Sequence, residues 1–224
     1  MNFEPATTLT EQIADHLGAE IIHGRLKPGT RIQELRVAGE LGVSRGSVRE
    51  ALLILESRHL IDIVPRRGAV VSSFDSHEIA DLSEVFAELQ SLCFSKLAAL
   101  PNADLSDRVS AIDAMGQAVA DGDEEAVLAA RRQFLLAGVA LLRSAYLAAV
   151  LKGLIPAGMR LQHLVAAHPA YDPRDTLRYH QALLDAIAAG QQERVRELVR
   201  AYHGRQRKLA VTCCHDGGRV QHAR

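Results

Sequence analysis

The chain has 224 residues, a formal net charge of −1, 48% hydrophobic but only 4% aromatic residues, and no Trp. That balance excludes a polycation that coats nucleic acid indiscriminately, and the aliphatic composition points to packed helices with a core of Ala, Leu, Val and Ile. At this length the chain can hold one large domain or two modest ones, and two are expected; three Cys, no run of about 18 uncharged apolar residues and no basic-then-apolar leader at Met1 to Pro5 imply a cytoplasmic protein without a disulfide framework or a membrane span.

In chain order, Thr8 or Thr10 can cap a first helix whose buried face is Leu9, Ile13, Leu17 and Ile21 and which stops at His23-Gly24. Pro28-Gly29 suits a type II bend leading into a short extended piece at Arg31-Ile32, and Glu34 starts a second helix patterned by Val37, Ala38 and Leu41. Gly42 supplies the positive φ of a tight inter-helix turn. Ser44 then caps a third helix, its hydroxyl placed to accept from a backbone N–H near Ser47. Val48, Ala51, Leu52 and Leu55 form the buried stripe of that helix, which runs to about Arg58, while Arg45 and Arg49 stand one turn apart on another flank.

A helix N-terminus already favours anions, so two guanidinium groups there suggest an anionic partner outside the protein. Arg at i and i+4 is also common on solvated faces, and the context decides between the readings. Leu60 to Val64 and Ala69 to Ser72 read as a two-stranded hairpin with Pro65-Arg66-Arg67-Gly68 at its tip, a basic wing beside a helix-turn-helix. Residues 1–74 hold nine Lys plus Arg and nine Asp plus Glu, so the positive charge is patterned and not accumulated.

Phe74 to His77 reads as a hinge, with Asp75-Ser76 capping a helix in which Ile79, Leu82, Val85 or Phe86, Leu89, Cys93 and Leu97 make the buried face up to Leu100-Pro101. Helices are predicted at Leu105–Ala120, Glu124–Leu142, Ser144–Leu154, Met159–Ala167, Thr176–Ala188 and Gln192 to about Val211, with a break at Pro156 to Gly158 and a loop from His168 to Pro173. The expected fold class is mostly α: a winged helix-turn-helix over 1–74, an antiparallel all-α bundle of six or seven helices over 75–212, and a disordered tail over 213–224.

The runs HGRLKPG, ELGVSRGSVREALLILESRHLI and PRRGAVV resemble the winged helix-turn-helix of the GntR family of bacterial transcription regulators, over Leu9 to Ser73. The resemblance implies that Arg45 and Arg49 contact operator bases and phosphates and that the wing tip, Arg66, Arg67 and Gly68, enters the adjacent minor groove. With the cap Ser44, and with Gly46-Ser47 in place of the Thr-Pro common in the family, these are the candidate DNA-binding residues. Asp75 to Lys208 resembles the FadR-type ligand-binding domain (FCD) of the same family, best over Tyr179 to Ile187.

In that domain type an Asp and a His one turn apart, a His on the penultimate helix and a His on the last helix commonly hold a divalent metal. With Phe134 as anchor those positions fall on Arg131, Leu135, His180 and Tyr202, so one ligand of four is kept and Arg131 would repel a cation. His203 lies one residue beyond Tyr202, and a register shift would restore only one more ligand. The expectation is no metal and no other cofactor. The family's Arg and Glu on the first sensor helix fall on Phe86 and Gln90.

An unpaired buried guanidinium costs several kcal/mol, so an inward-facing Arg131 should have an anionic partner. One reading is therefore a small organic anion held by Arg131, His180 and Tyr202, with Phe86, Gln90 and Leu135 around it. The other has Phe86 and Leu135 filling the space, Arg131 snorkelling to solvent and His180 a hydrogen-bonded core histidine.

For the whole chain the leading function is a homodimeric repressor that binds a palindromic double-stranded operator and responds to an organic anion, with a metal-dependent carboxylate sensor as alternative. A helical-bundle enzyme is the reading from a different class. It would have to use Cys213-Cys214-His215, His163, His168 and His180, and no nucleophile triad, phosphate loop or carboxylate pair stands out, so no catalytic activity is expected.

Overall fold

The computed structural model describes residues 8–221, with side-chain surroundings described through Cys214. They fold as two compact units: residues up to Phe74 together with Gly153–Arg160, and Asp75–Lys152 with the residues from Leu161 on.

In the first unit, helix α1 spans Leu9–Ile22, strand β1 Arg31–Ile32, helix α2 Glu34–Leu41, helix α3 Arg45–Ser57, and strands β2 and β3 span Ile61–Val64 and Gly68–Val71. Thr8 and Glu11 form a reciprocal capping box at the start of α1. The core lies where Ile13, Leu17 and Ile21 of α1 meet Val48, Leu52 and Leu55 of α3 beneath the sheet residues Ile61, Ala69 and Val71. Two polar ties between α1 and α3 fix their pairing at the edge of that core: Thr10 Oγ1 donates to Glu50 Oε2 at 3.3 Å, and Arg58 pairs with Asp15 at 2.6 Å.

The expected two-stranded hairpin forms as β2 and β3, and the extended piece at Arg31-Ile32 joins it as a third strand. The sheet has three antiparallel strands in the order β1-β3-β2, with Arg31 opposite Val70 and Ile32 opposite Ala69 on one edge and Ile61 opposite Val71 through Val64 opposite Gly68 on the other. A two-residue piece is too short to be read as a strand in isolation. It becomes one because Ile32 is buried in the core and β3 offers a free edge.

The second unit is helical throughout the described residues: α4 (Ser76–Ala98), α5 (Ser106–Asp121), α6 (Glu124–Leu141), α7 (Ala145–Ala166), α8 (Pro173–Ala188) and α9 (Gln192–Gln221). Side-chain caps start three of the six: Asp75 with Glu78 makes a capping box for α4, Asp123 caps α6, and Asp172 caps α8 one residue before Pro173. In this unit α4 runs along α9, α5 along α6, and α8 against both α5 and α9.

Two sequence expectations are corrected here. The break at Pro156 to Gly158 does not occur, and α7 continues through Pro156 as one helix, so the described part of the bundle has six helices, the lower of the two expected numbers. Proline removes one i→i−4 bond, but Leu151, Ala157 and Val165 are buried on both sides of it, and that packing holds the helix together. The tail expected to be disordered from Cys213 is helical through Gln221, because Ala210 is fully buried and the Cys213 thiol donates to the Leu164 carbonyl, holding α9 past Val211. The last three positions of that expected tail, 222–224, lie outside the described residues.

Candidate nucleic-acid interface and effector site

The turn before α3 is built as its residues require. Gly42 closes α2 in the left-handed region at φ 65°, and Val43 N–H returns to the Ala38 carbonyl at 3.0 Å. Ser44 Oγ accepts from Ser47 N–H at 3.0 Å and lies 2.9 Å from the Ser47 hydroxyl. This cap fixes the first turn of α3, from which Arg45, Gly46 and Arg49 face solvent while Val48, Ala51, Leu52 and Leu55 are buried on the opposite side. Arg45 lies 3.8 Å from Glu34 at the start of α2, a long and exposed pair that restrains the guanidinium without neutralising the face.

At the wing tip Arg66 and Gly68 both have positive φ, 65° and 78°, and Arg66, Arg67 and Gly68 are all exposed. A further cation stands there. A Cβ built on Gly68 would lie 3.9 Å from Arg31 Nε, so the exposed Arg31 guanidinium on β1 runs beside the tip. Arg31 was not singled out from the sequence because its position depends on the pairing of β1 with β3.

In the helical unit the six candidate effector residues, Phe86, Gln90, Arg131, Leu135, His180 and Tyr202, are all buried. Five of them meet. The Arg131 guanidinium carbon sits 5.4 Å from the Tyr202 ring centre, His180 packs edge-on at 6.1 Å from Tyr202, and His203 links the group to α4 by contacting Gln90 Oε1 at 3.3 Å and the Phe86 ring at 6.2 Å. Leu135 is buried on α6 one turn beyond Arg131. The reading in which Arg131 snorkels to solvent is overturned, since the residue is only 7% exposed.

His180 Nδ1 lies 2.7 Å from the Thr176 carbonyl, which can only accept, so Nδ1 carries the proton and Nε2 keeps its lone pair. Tyr179 stacks on Tyr202 at 3.9 Å, and Tyr202 Oη pairs with Thr176 Oγ1 at 3.1 Å. Burial, and after it the charge of Arg131, pushes both His180 and His203 down to about 3, leaving two neutral imidazoles beside one guanidinium. Burial pushes the Tyr179 and Tyr202 phenols up, so both stay protonated.

A second buried cation was missed from the sequence. Arg108 on α5 is fully buried, its Nη1 donating to the Phe134 carbonyl at 3.0 Å and its guanidinium carbon 3.5 Å from the Phe134 ring centre and 4.7 Å from that of Phe94. Gly138 makes the room, since a Cβ there would overlap Arg108 Nη1. Burial draws the guanidinium down to about 9, still charged at neutral pH. The signal was available: Arg108, Ala111, Ile112 and Met115 step along one face of α5, which put the arginine on the apolar stripe.

Among the described residues Arg108 Nε and Nη2, Arg131 Nη1 and Tyr179 Oη are buried without a hydrogen-bond partner, and no Asp or Glu is buried. A site with a guanidinium, two neutral imidazoles and no buried carboxylate fits a divalent cation poorly.

The sequence matches the family pattern for bacterial regulatory proteins of the gntR family over residues 9–71 and that of the FCD domain over residues 81–204. The chain belongs to the GntR family. It is 27% identical over 188 residues to the HTH-type transcriptional regulator McbR of Escherichia coli, covering 83% of this chain and 85% of that protein, and the solved McbR structure shares the fold with a TM-score of 0.77 at 24% identity, over 92% of this chain and 99% of the other. It is 37% identical over 86 residues to the gluconate operon transcriptional repressor of Bacillus subtilis, spanning 38% of this chain and 35% of that one. The crystal structure of a GntR transcriptional regulator from Rhodococcus sp. RHA1 aligns with a TM-score of 0.74 at 25% identity, over 91% of this chain and 97% of the other.

A winged helix-turn-helix, an FCD domain and regulator relatives make this chain a DNA-binding transcription regulator and not an enzyme. No helix among the described residues is long and apolar enough to cross a membrane.

Proposed function

We propose that this GntR regulator is a repressor that binds a palindromic operator as a homodimer, through Ser44, Arg45, Gly46, Ser47 and Arg49 of the α3 start and Arg66, Arg67 and Gly68 of the wing. Its activity is modulated by a small organic anion bound directly, without a bridging metal, by Arg131, His180 and Tyr202 inside the shell of Phe86, Gln90 and Leu135. The two-fold dimer and the two-fold operator match each other's symmetry.

One observation carries the effector reading. Arg131 is buried with Nη1 lacking an acceptor, and its neighbours are neutral imidazoles and phenols, so the surroundings supply no negative charge of their own. A buried guanidinium in that state is destabilised by several kcal/mol, and a carboxylate ligand offsets the penalty through charge-assisted hydrogen bonds.

The test is calorimetry and thermal shift of the full chain against a panel of carboxylates, with and without EDTA. The expected result is a stabilising acid whose effect survives chelation and is lost in Arg131→Gln. A response abolished by EDTA and restored by a divalent metal would establish the metal-dependent sensor instead, and an Arg131→Gln variant that binds unchanged would remove Arg131 from the site.

A further inference from the structure

The anion site proposed above uses the guanidinium of Arg131. A second guanidinium, that of Arg108 on α5, is fully buried as well, and one of its edges is open. Its Nη1 is tied to the Phe134 carbonyl, while Nε and Nη2 are buried without a hydrogen-bond partner. Those two nitrogens carry the parallel N–H groups along one side of the guanidinium, the edge that takes both oxygens of a carboxylate at once. An arginine buried for packing alone has most to gain from filling that edge first, because a buried donor left unmade is costly.

Nothing in the surrounding fold supplies the missing negative charge. The acidic side chains whose field reaches Arg108 are the Cys93 thiol and the Tyr179 phenol. Burial pushes the thiol up to about 12 and pushes the phenol up as well, so both stay protonated, and no Asp or Glu is buried among the described residues.

Both guanidinium groups border one cluster of rings. Arg108 lies against Phe134 at one end; the Phe134 ring meets His180 edge-on at 5.0 Å, His180 meets Tyr179 at 4.8 Å, and Tyr179 stacks on Tyr202, beside which Arg131 sits. The two charges act on the same side chains. After burial, Arg131 and then Arg108 depress His180, and the same pair draws the Tyr179 phenol back. Tyr179, within the field of both, keeps a buried hydroxyl that has no hydrogen-bond partner. The cluster therefore holds two cations with open donors among neutral imidazoles and phenols, and a single carboxylate on Arg131 would balance only one of them.

We infer that the effector is a dianion, a small dicarboxylate, with one end paired to Arg131, the other on the Nε and Nη2 edge of Arg108, and the Tyr179 hydroxyl donating to it. This rests on the anion-site reading above and narrows its ligand to one class.

The experiment is isothermal titration calorimetry of the full chain, with EDTA present throughout, against straight-chain diacids from malonate to adipate, their monomethyl esters and the monoacids of equal carbon number. At least one diacid is expected to bind once per chain and about ten-fold or more tighter than its monoester and its monoacid, the effect of one added charge-assisted pair. Arg108→Met, which replaces the buried cation by an apolar chain of similar length, is expected to bring that diacid to within about three-fold of its monoester while leaving the monoester's affinity in place. Arg131→Gln is expected to weaken all three classes.

If neither acids nor esters bind, the anion-site reading itself fails. If ligands bind but every diacid only equals its monoester, that reading stands and the dianion is overturned. A diacid preference that persists undiminished in Arg108→Met overturns Arg108 as the second anchor. The ester series decides the ligand class on the parent chain alone, whether or not Arg108→Met folds.

Discussion

At the scale of single residues the two halves of the chain use arginine in opposite ways. Arg45 and Arg49 stand in solvent on a capped helix, where a guanidinium has little to gain from the protein and much from phosphate or the acceptor edge of guanine. Arg49→Ala should lower operator affinity by about 1 to 3 kcal/mol if it reads a base, measured by fluorescence anisotropy against the operator and a scrambled duplex; an equal loss on both would assign it to phosphate alone. Arg108 and Arg131 are desolvated instead, and beside Arg131 burial, followed by that guanidinium's charge, keeps two histidines neutral. His180 and His203, drawn from 6.5 to about 3, bind protons in the unfolded chain but not in the folded one between those pH values. Stability should therefore fall as pH drops from about 6.5 toward 3, by up to about 1.4 kcal/mol per pH unit for each histidine. Between pH 5 and 6.5, above the ordinary carboxylate range, denaturant titrations should show this slope in the parent and a shallower one in His203→Gln.

Among the elements, α7 shows packing overriding local preference. Its internal proline forfeits a backbone hydrogen bond, and burial of Leu151 and Ala157 holds the helix through it. Pro156→Ala should accordingly raise unfolding free energy by about 1 to 3 kcal/mol in urea titrations, with no loss of helical signal. A destabilised variant would show that the proline ring contributes packing that outweighs the lost bond. The wing makes the complementary point, because β1 exists only through its partner β3 and brings Arg31 to the tip by that pairing.

For the whole molecule the decisive quantity is how charge is placed on a nearly neutral chain. With a net charge of −1 there is no bulk polycation to bind DNA, and the proposed interface draws its affinity from the few cations on α3 and the wing. The logarithm of the operator association constant should fall against the logarithm of salt concentration with a slope of about −0.9 per phosphate contact, and Arg67→Ala should reduce that slope by about one unit if it meets a phosphate. A slope unaltered by Arg66→Ala and Arg67→Ala together would take the wing off the phosphate backbone.

Sequence alone determined the features that local chemistry controls: Gly42 because only glycine readily takes that φ, the Ser44 and Asp75 caps because their side chains meet N–H groups three residues on, and the helical periods because a buried face must repeat at 3.6 residues. It also turned His180 and Tyr202 inward on their apolar stripes, whereas the burial of Gln90 and Arg131 was decided only by the tertiary structure. What it left undecided depends on partners distant in the chain. The third strand, the unbroken α7, the extension of α9 beyond Val211, and Arg108 threaded past Gly138 onto Phe134 all follow from neighbours brought up by folding, and only tertiary packing sets the free energy of those contacts.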